Sequence, residues 1–148
     1  MPNRPGRPGQ LVLDTHVWVW AVEGLTEKLS RAAIAAVEQA ARASALAVSA
    51  ISVWEVAMLV KRGRLTLATA VRDWIDASRR PPGARIIPVG AAVALDSTRL
   101  PDFDQHKDPA DRIIIATARR HGTLVTCDES VLAWARAHKH LRVLDARP

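Results

Sequence analysis

The sequence has no tyrosine, one phenylalanine and one cysteine in 148 residues. A single cysteine, Cys127, excludes a disulfide framework and is typical of a reducing compartment, so we expect a cytoplasmic protein. The shortage of Phe and Tyr argues against a base-stacking platform of the single-strand-binding type. No apolar run approaches the roughly 18 residues that suggest a membrane span. These absences favour a globular protein without a membrane partner.

The first ten residues, MPNRPGRPGQ, lack an apolar segment that would resemble a signal peptide. Their Pro, Gly and Arg content predicts a flexible basic leader over residues 1–10. Residues 11–148 are long enough to form one domain with its own core. The net charge of +6, carried mainly by arginine because there are only four lysines, favours polyanionic partners. A compositional bias toward Arg and Ala could produce the same charge, so charge alone does not identify a partner.

Short apolar runs alternate with amphipathic segments along the chain. We predict strands at residues 11–13, 46–51, 85–89, 123–127 and 141–144. Predicted helices cover residues 25–42, 52–61, 67–75, 91–96, 109–121 and 131–138, with a short helical segment directly after Asp14. The strand at 85–89 is expected at an edge, since Pro88 cannot donate to a central ladder. This alternation predicts an α/β fold with a mostly parallel central sheet covered on both faces.

The stretch HKDPADRIIIATARRHG at residues 106–122 carries both the start and the stop signals of a helix. Asp108 is a good N-cap, Pro109 suits the first helical position, and Gly122 supplies the stop. The helix between them is apolar on almost every side, which predicts a buried position. Asp111 is therefore a carboxylate beside the core. It either reaches back to the cap, as acids at this spacing do, or has a functional role.

Three further acids lie at the start of a predicted helix or at the end of a predicted strand. Glu55 follows Ser52 at the spacing of a capping box, so it too has a structural explanation. Asp14 and Asp128 each come directly after a short apolar strand, where we expect no helix for them to cap. In open α/β sheets, ligands bind outside the carboxyl ends of the strands, and helix N-termini lie at that same edge. The sequence therefore predicts that Asp14, Glu55, Asp111 and Asp128 converge on one rim.

Four carboxylates in one pocket repel each other and need protons, arginine partners or a hard divalent cation. Oxygen ligands favour Mg²⁺ or Mn²⁺. Zinc is not expected, because no Cys/His cluster has zinc-ligand spacing, and His16 is interpreted as a packed or half-exposed histidine. A basic protein with an acidic, metal-binding rim suits phosphodiester chemistry.

Four blocks occur in order along the chain: LVLDTHVWVW, SVWEVAMLVKRGRL, HKDPADRIIIATA and TLVTCDESV. From about residue 11 to residue 144, the sequence resembles the PIN-domain ribonucleases of the VapC toxin type. The resemblance implies a three-layer α/β/α fold, an endoribonuclease dependent on Mg²⁺ or Mn²⁺, a VapB-type antitoxin and a homodimer. It assigns metal binding and catalysis to Asp14, Glu55, Asp111 and Asp128, with Thr15 and Thr126 as supporting hydroxyls. Asp108, Glu129 and Ser130 are further polar groups beside these acids.

Arg112, Lys61 and Arg62 are candidates for contacts with an RNA backbone, although each can also be a solvated surface charge. One alternative function is a receiver-like phosphoacceptor domain that binds Mg²⁺. Such a domain would need a lysine late in the fold, and Lys139 lies too far past the last clear strand to fit well.

The other alternative is a catalytically silent RNA- or protein-binding module in which the acids only cap helices. Capping could explain Glu55 and Asp111. It does not explain Asp14 and Asp128, because each ends a strand with no cap to make, so these two residues favour the enzyme.

Overall fold

The structure, a computed structural model, describes residues 9–148. The predicted basic leader lies outside the described residues except for Gly9 and Gln10. Gln10 is buried, and its backbone carbonyl accepts a hydrogen bond from the Thr123 N–H at 3.0 Å. The packed part of the chain therefore already includes Gln10.

Five strands and seven α-helices alternate through the described range. The strands are β1 (Leu11–Leu13), β2 (Leu46–Ser49), β3 (Arg85–Ile87), β4 (Thr123–Thr126) and β5 (Val143–Asp145). The helices are α1 (Thr15–Glu23), α2 (Arg31–Arg42), α3 (Ala50–Lys61), α4 (Val71–Arg79), α5 (Ala91–Ser97), α6 (Pro109–His121) and α7 (Glu129–His138), with a 3-10 turn at Thr26–Lys28. Across residues 9–148, no helix combines the length and apolar character needed to cross a membrane.

The sheet has the order β3-β2-β1-β4-β5, and all four strand pairs are parallel. Successive side chains of a strand enter opposite core clusters, because the side-chain period of a strand is two. Val12 belongs to the cluster under α6 and α7, whereas Leu13 belongs to the cluster under α1, α2 and α4. The predicted three-layer α/β/α architecture with a parallel sheet is confirmed.

The order of the strands reverses between β1 and β4. The chain passes from β1 to β2 and β3 on one side, then returns to place β4 and β5 on the other. Such a reversal opens a crevice at the carboxyl ends of the two central strands. The residues that follow β1 and β4 are Asp14 and Asp128, so the topology brings these two predicted acids to the same crevice.

Several predicted boundaries are corrected by the structure. The predicted helix at 25–42 is divided, and α2 begins only after Ser30, whose Oγ accepts the Ala33 N–H at 3.1 Å. The predicted strand at 46–51 ends at Ser49, because the Ser49 Oγ accepts the Ile51 N–H at 3.2 Å and starts α3 there. The predicted capping box is therefore wrong. Ser52 lies inside α3, and Glu55 is one turn further from the helix start than expected.

Helix α6 has the predicted ends. The Asp108 Oδ1 accepts the Ala110 N–H at 3.0 Å, and Pro109 occupies the first position. Gly122 ends the helix with extended rather than left-handed backbone, at φ 164°. Glycine is required there for another reason, since a Cβ at this position would collide with the backbone carbonyl oxygen of Gln10.

This contact predicts the effect of adding a side chain at Gly122. Gly122→Ser should lower the free energy of unfolding by about 1–3 kcal/mol, because the obstructing atom belongs to the backbone and can yield only if β1 shifts. Gly90→Ser is the matched control. A Cβ at Gly90 meets nothing within 4 Å, and serine there is a good N-cap for α5. Urea unfolding of both variants measures the difference, and equal stabilities would contradict the steric argument.

Candidate active site

A cavity of about 320 Å³ lies at the carboxyl ends of β1 and β4. Its lining residues are Asp14, Thr15, His16, Val17, Trp20, Glu55, Asp108, Asp111, Cys127 and Asp128. All four predicted acids therefore share one cavity at the crevice that the sheet topology creates. His16 is exposed at this cavity, and its ring centroid lies 5.8 Å from that of Trp20.

Asp14 is fixed by hydrogen bonds to both of its carboxylate oxygens. Oδ1 accepts the Thr15 N–H at 2.8 Å, and Oδ2 accepts the Thr126 hydroxyl at 2.7 Å. Burial raises the pKa of the Asp14 carboxyl above its ordinary value, and these hydrogen bonds only partly oppose the shift. The predicted supporting hydroxyl of Thr126 thus contacts the acid on the neighbouring strand.

Asp128 lies at the N-terminus of α7. Its Oδ1 accepts hydrogen bonds from the Ser130 N–H at 2.9 Å, the Val131 N–H at 3.1 Å and the Ser130 hydroxyl at 2.7 Å. Although burial opposes ionisation, these bonds to Ser130 and Val131 lower the pKa of the Asp128 carboxyl. Asp128 is therefore a charged N-cap.

The expectation that Asp14 and Asp128 have no helix to cap is wrong. Asp14 is the only residue between β1 and α1, and it occupies the N-cap position of α1. Between β4 and α7 there are two residues, and Asp128 is the second. Because the connections are this short, each acid lies within two residues of a strand end and also begins a helix. Capping is thus a sufficient structural reason for an acid at these two positions.

Glu55 projects into the cavity from the second turn of α3. Its Oε1 lies 2.6 Å from the Thr15 Oγ1, which is itself 2.8 Å from the Ser52 Oγ. Since Thr15 has one hydroxyl proton, donating it to Glu55 leaves Ser52 to donate to Thr15. Burial raises the pKa of Glu55 to about 7, and the negative charges of Asp111 and Asp14 add to the shift. Glu55 bonds a side chain rather than a helix N-terminus, so it is not a cap.

Asp111 lies in the first turn of α6, but its carboxylate does not turn back to the cap. Its Oδ2 lies 2.8 Å from the Nε2 of His106. Burial raises the pKa of the Asp111 carboxyl, and the hydrogen bond with His106 opposes this shift. The capping roles expected from the sequence for these four acids are therefore reversed. Glu55 and Asp111 are the acids without a capping role, whereas Asp14 and Asp128 are caps.

His106 is a residue of the site that was not predicted from the sequence pattern. Its Nε2 contacts Asp111, and its Nδ1 lies 3.2 Å from the Ser130 Oγ. The imidazole stacks on Phe103, with ring centroids 4.7 Å apart and planes inclined by 6°. His106, Asp111 and Asp128 offer ligand atoms that lie within 4.8 Å of one another. The sequence signal was a histidine five residues before the acid, in an irregular loop whose path no periodicity predicts.

Arg112 does not extend toward the solvent, as a phosphate contact or a surface charge would. Its Nε donates to the Ser97 carbonyl at 2.8 Å, and its Nη1 donates to the carbonyls of Phe103 and His106 at 2.6 and 2.9 Å. Contact of Arg112 with an RNA backbone stays a prediction, and these three hydrogen bonds leave fewer of its N–H groups free for it. The guanidinium instead holds the loop that carries His106 against the start of α6.

The electrostatics of the cavity are those of an uncompensated carboxylate cluster. Among residues 9–148, neither Lys nor Arg forms an ion pair with any of the four acids. The ion pair that does occur joins His106 to Asp111. Partly buried carboxylate oxygens, supported by hydroxyls and one imidazole, are donors that suit a hard divalent cation such as Mg²⁺ or Mn²⁺. The donor set therefore fits the expected metal ion.

Comparison with known proteins agrees with this fold. The chain belongs to the PIN domain family, which its sequence matches over residues 11–140. It is 38% identical over 134 residues to Ribonuclease VapC22 of Mycobacterium tuberculosis (strain ATCC 25618 / H37Rv), a match that covers 89% of this chain and 94% of that protein.

Two solved structures share the fold at lower sequence identity. One is VapBC2 from Rickettsia felis bound to a DNA fragment from their promoter, with a TM-score of 0.64, 17% identity, and coverage of 90% of this chain and 96% of that chain. The other is FitAB bound to the IR36 DNA fragment, with a TM-score of 0.58, 23% identity, and coverage of 91% and 94%.

The raised pKa of Glu55 predicts how stability depends on pH without divalent ions. The folded protein keeps a proton on Glu55 up to about pH 7, whereas the unfolded chain releases it near its ordinary pKa of 4.5. Folding binds the extra proton between these values, so the free energy of unfolding should fall as pH rises through this window. Asp14 and Asp111, whose pKa values are also raised, act in the same direction.

In EDTA, we therefore expect the melting temperature to fall from pH 5 to pH 8. Glu55→Gln should flatten this fall and melt higher than the wild type at pH 8 by a few degrees, the scale of about 1 kcal/mol in a domain of this size. Glu38→Gln, at an exposed position of α2, is the control and should follow the wild-type curve. Parallel curves for all three proteins would show that Glu55 is already ionised at low pH.

Proposed function

We propose that this protein is an endoribonuclease toxin of the VapC type that hydrolyses RNA phosphodiester bonds with Mg²⁺ or Mn²⁺. Membership of the PIN domain family and the identity to Ribonuclease VapC22 support the activity. In this proposal Asp14, Glu55, Asp111 and Asp128 hold the ion. The observation that carries it is the pair Glu55 and Asp111, two partly buried carboxylates that cap no helix and face the same cavity as the other two acids.

The bound ion would supply the activation of a water for attack on phosphorus and the stabilisation of charge on the leaving oxygen. The protein supplies the position of each ligand. Thr126 and the Thr15 N–H orient Asp14, the Thr15 hydroxyl orients Glu55, and the first turn of α7 orients Asp128. These contacts are already in place, so little reorganisation is needed when the ion and substrate bind.

A receiver-like phosphoacceptor is disfavoured by the position of Lys139. This residue follows α7 and precedes β5, which places it at the amino-terminal edge of the sheet, away from the acids. There it lines a small cavity with Arg119, Arg120 and Arg142. The basic charge at this edge instead suits attraction of a polyanionic substrate to the molecule as a whole.

The proposal includes a VapB-type antitoxin and a homodimer as partners. Carboxylates without Lys or Arg partners in the described chain are natural contacts for an arginine or lysine from another protein, which would take the place of the metal ion. Inhibition would then result from competition at the cavity itself.

The catalytically silent alternative requires that the acids have structural roles only. Capping accounts for Asp14 and Asp128, but Glu55 and Asp111 raise the electrostatic cost of folding and cap nothing. A pair of substitutions at the start of α6 distinguishes the two functions, because both carboxylates line the cavity but only that of Asp108 caps the helix.

Asp108→Asn should keep the cap, since asparagine caps a helix about as well as aspartate, and should change the free energy of unfolding by only a few tenths of a kcal/mol. It should retain most of the Mg²⁺-dependent cleavage of RNA. Asp111→Asn removes a repelling charge, so it should melt at least as high as the wild type in EDTA, yet lose about a hundredfold or more in cleavage rate. Both variants are compared with a labelled RNA, with Mg²⁺ and with EDTA.

An active Asp111→Asn beside a folded but inactive Asp108→Asn would mean that the two roles are reversed. Full activity in both variants, or cleavage that persists in EDTA, would refute the proposed metal-dependent mechanism.

Competition between metal and antitoxin gives a separate test of the partner. The small protein encoded beside this gene should relieve growth arrest when the two are co-expressed. When it is added to the Mn²⁺-loaded protein, free Mn²⁺ should appear in the EPR spectrum, because the partner's cation displaces the ion. Tight binding without release of Mn²⁺ would place the inhibitory contact outside the cavity.

A further inference from the structure

We propose that His106 is a metal ligand, and that its Nε2 forms, with one oxygen each of Asp111 and Asp128, a nitrogen-containing divalent-ion position within the acidic cavity. This inference rests on the proposed metal-dependent function and adds an imidazole to a ligand set that the sequence predicted to be purely carboxylate. It also gives the site a preference for Mn²⁺ over Mg²⁺.

The spacing of the donor atoms fits ligands of one ion. The candidate ligand atoms of His106, Asp111 and Asp128 all lie within 4.8 Å of one another. The shortest separation is 2.8 Å, between the His106 Nε2 and the Asp111 Oδ2. Neighbouring ligands of an octahedral ion with bonds of about 2.1 Å lie about 3.0 Å apart. His106 and Asp111 are therefore already spaced as adjacent ligands.

The hydrogen bonds of the Ser130 hydroxyl determine which nitrogen of His106 carries a proton. The Ser130 hydroxyl lies 2.7 Å from the Asp128 Oδ1 and 3.2 Å from the His106 Nδ1, and it has one proton to donate. Because an ionised Asp128 can only accept, the proton goes to Asp128, and Ser130 accepts from the Nδ1–H of His106. The Nε2 of the imidazole then faces the Oδ2 of Asp111, and without a metal ion one proton bridges the two atoms. A divalent ion that binds both atoms would take the place of that proton.

The surroundings of the ring are those of a ligating histidine. Such histidines donate their second ring N–H to a fixed oxygen, which sets the tautomer and the ring orientation. Here that oxygen is the Ser130 hydroxyl, which Asp128 holds in turn. Phe103 stacks on the ring, and Arg112 donates to the carbonyls of both Phe103 and His106. The ring is immobilised before any ion binds, so binding costs little side-chain entropy.

Imidazole is a softer ligand than carboxylate or water and contributes more to the binding of transition-metal ions than to that of Mg²⁺. Replacing His106 should therefore weaken the binding of Mn²⁺ more than that of Mg²⁺. His16 offers a matched comparison. It lines the acidic cavity with Asp111 and Asp128, whereas His106 lines a neighbouring cavity with Ser130. The His16 ring packs near Trp20 and is not part of the His106, Asp111 and Asp128 group.

The test is pulsed EPR on the full chain with one equivalent of Mn²⁺. The wild type should show electron spin echo modulation from the ¹⁴N of one coordinated imidazole. Histidine-specific ¹⁵N labelling of the wild type should remove this modulation without any mutation. His106→Gln should also remove it while Mn²⁺ stays bound, and His16→Gln should retain it. Competition titrations should show the preference for Mn²⁺ over Mg²⁺ falling about tenfold or more in His106→Gln, the scale on which even outer-shell partners act.

Bound Mn²⁺ without ¹⁴N modulation in the wild type would overturn this inference and leave the proposed nuclease function standing. Modulation that survives in His106→Gln and disappears in His16→Gln would mean that His16 supplies the coordinated nitrogen. That result would also overturn this inference. A wild-type protein that does not bind Mn²⁺ at all would instead overturn the metal-dependent function on which the inference rests. The labelling result holds even if His106→Gln fails to fold.

Discussion

Mutual repulsion of the carboxylates is the constraint on which the arrangement of this site depends. The cavity holds four acids, and burial raises the pKa of Asp14, Glu55 and Asp111. Within residues 9–148, neither Lys nor Arg pairs with them. The fold must keep these groups together against an unfavourable free energy until a cation arrives. Its two hydrophobic clusters, on opposite faces of the sheet, provide the stability that makes this possible.

The sheet topology explains how short connections bring Asp14 and Asp128 together. Because β1 and β4 are neighbours, residues in the short connections after these strands enter the same crevice. The helices start at once, so Asp14 and Asp128 receive N–H groups from the chain that they begin. Capping orients a carboxylate without consuming all of its lone pairs, and the remaining ones can face the cavity. One short connection thus serves both folding and ion binding.

Much of this arrangement could be predicted, and the errors have local causes. Strand ends and helix starts lie at one edge of a parallel sheet, so the convergence of the acids followed from the pattern alone. The pattern could not place the N-cap of α3, because Ser49 and Ser52 are both serines near the helix start, and the cap is Ser49 rather than Ser52. It could not find His106 either. That residue lies on a loop whose path is set by the carbonyls of Ser97, Phe103 and His106 around one guanidinium, and such contacts leave no periodic signal in the sequence.

The roles of Asp111 and Arg112 connect this loop to the chemistry of the site. The two residues are neighbours on α6, yet one contacts the imidazole of His106 and the other its backbone carbonyl. Movement of the loop would therefore disturb an acid of the cavity and a half-buried guanidinium together, and leaving either unpaired is costly. The guanidinium of Arg112 thus helps to fix the side chain of His106. Attraction of a polyanion must then come from the basic groups elsewhere on the molecule, which is consistent with a net charge of +6 around an acidic cavity.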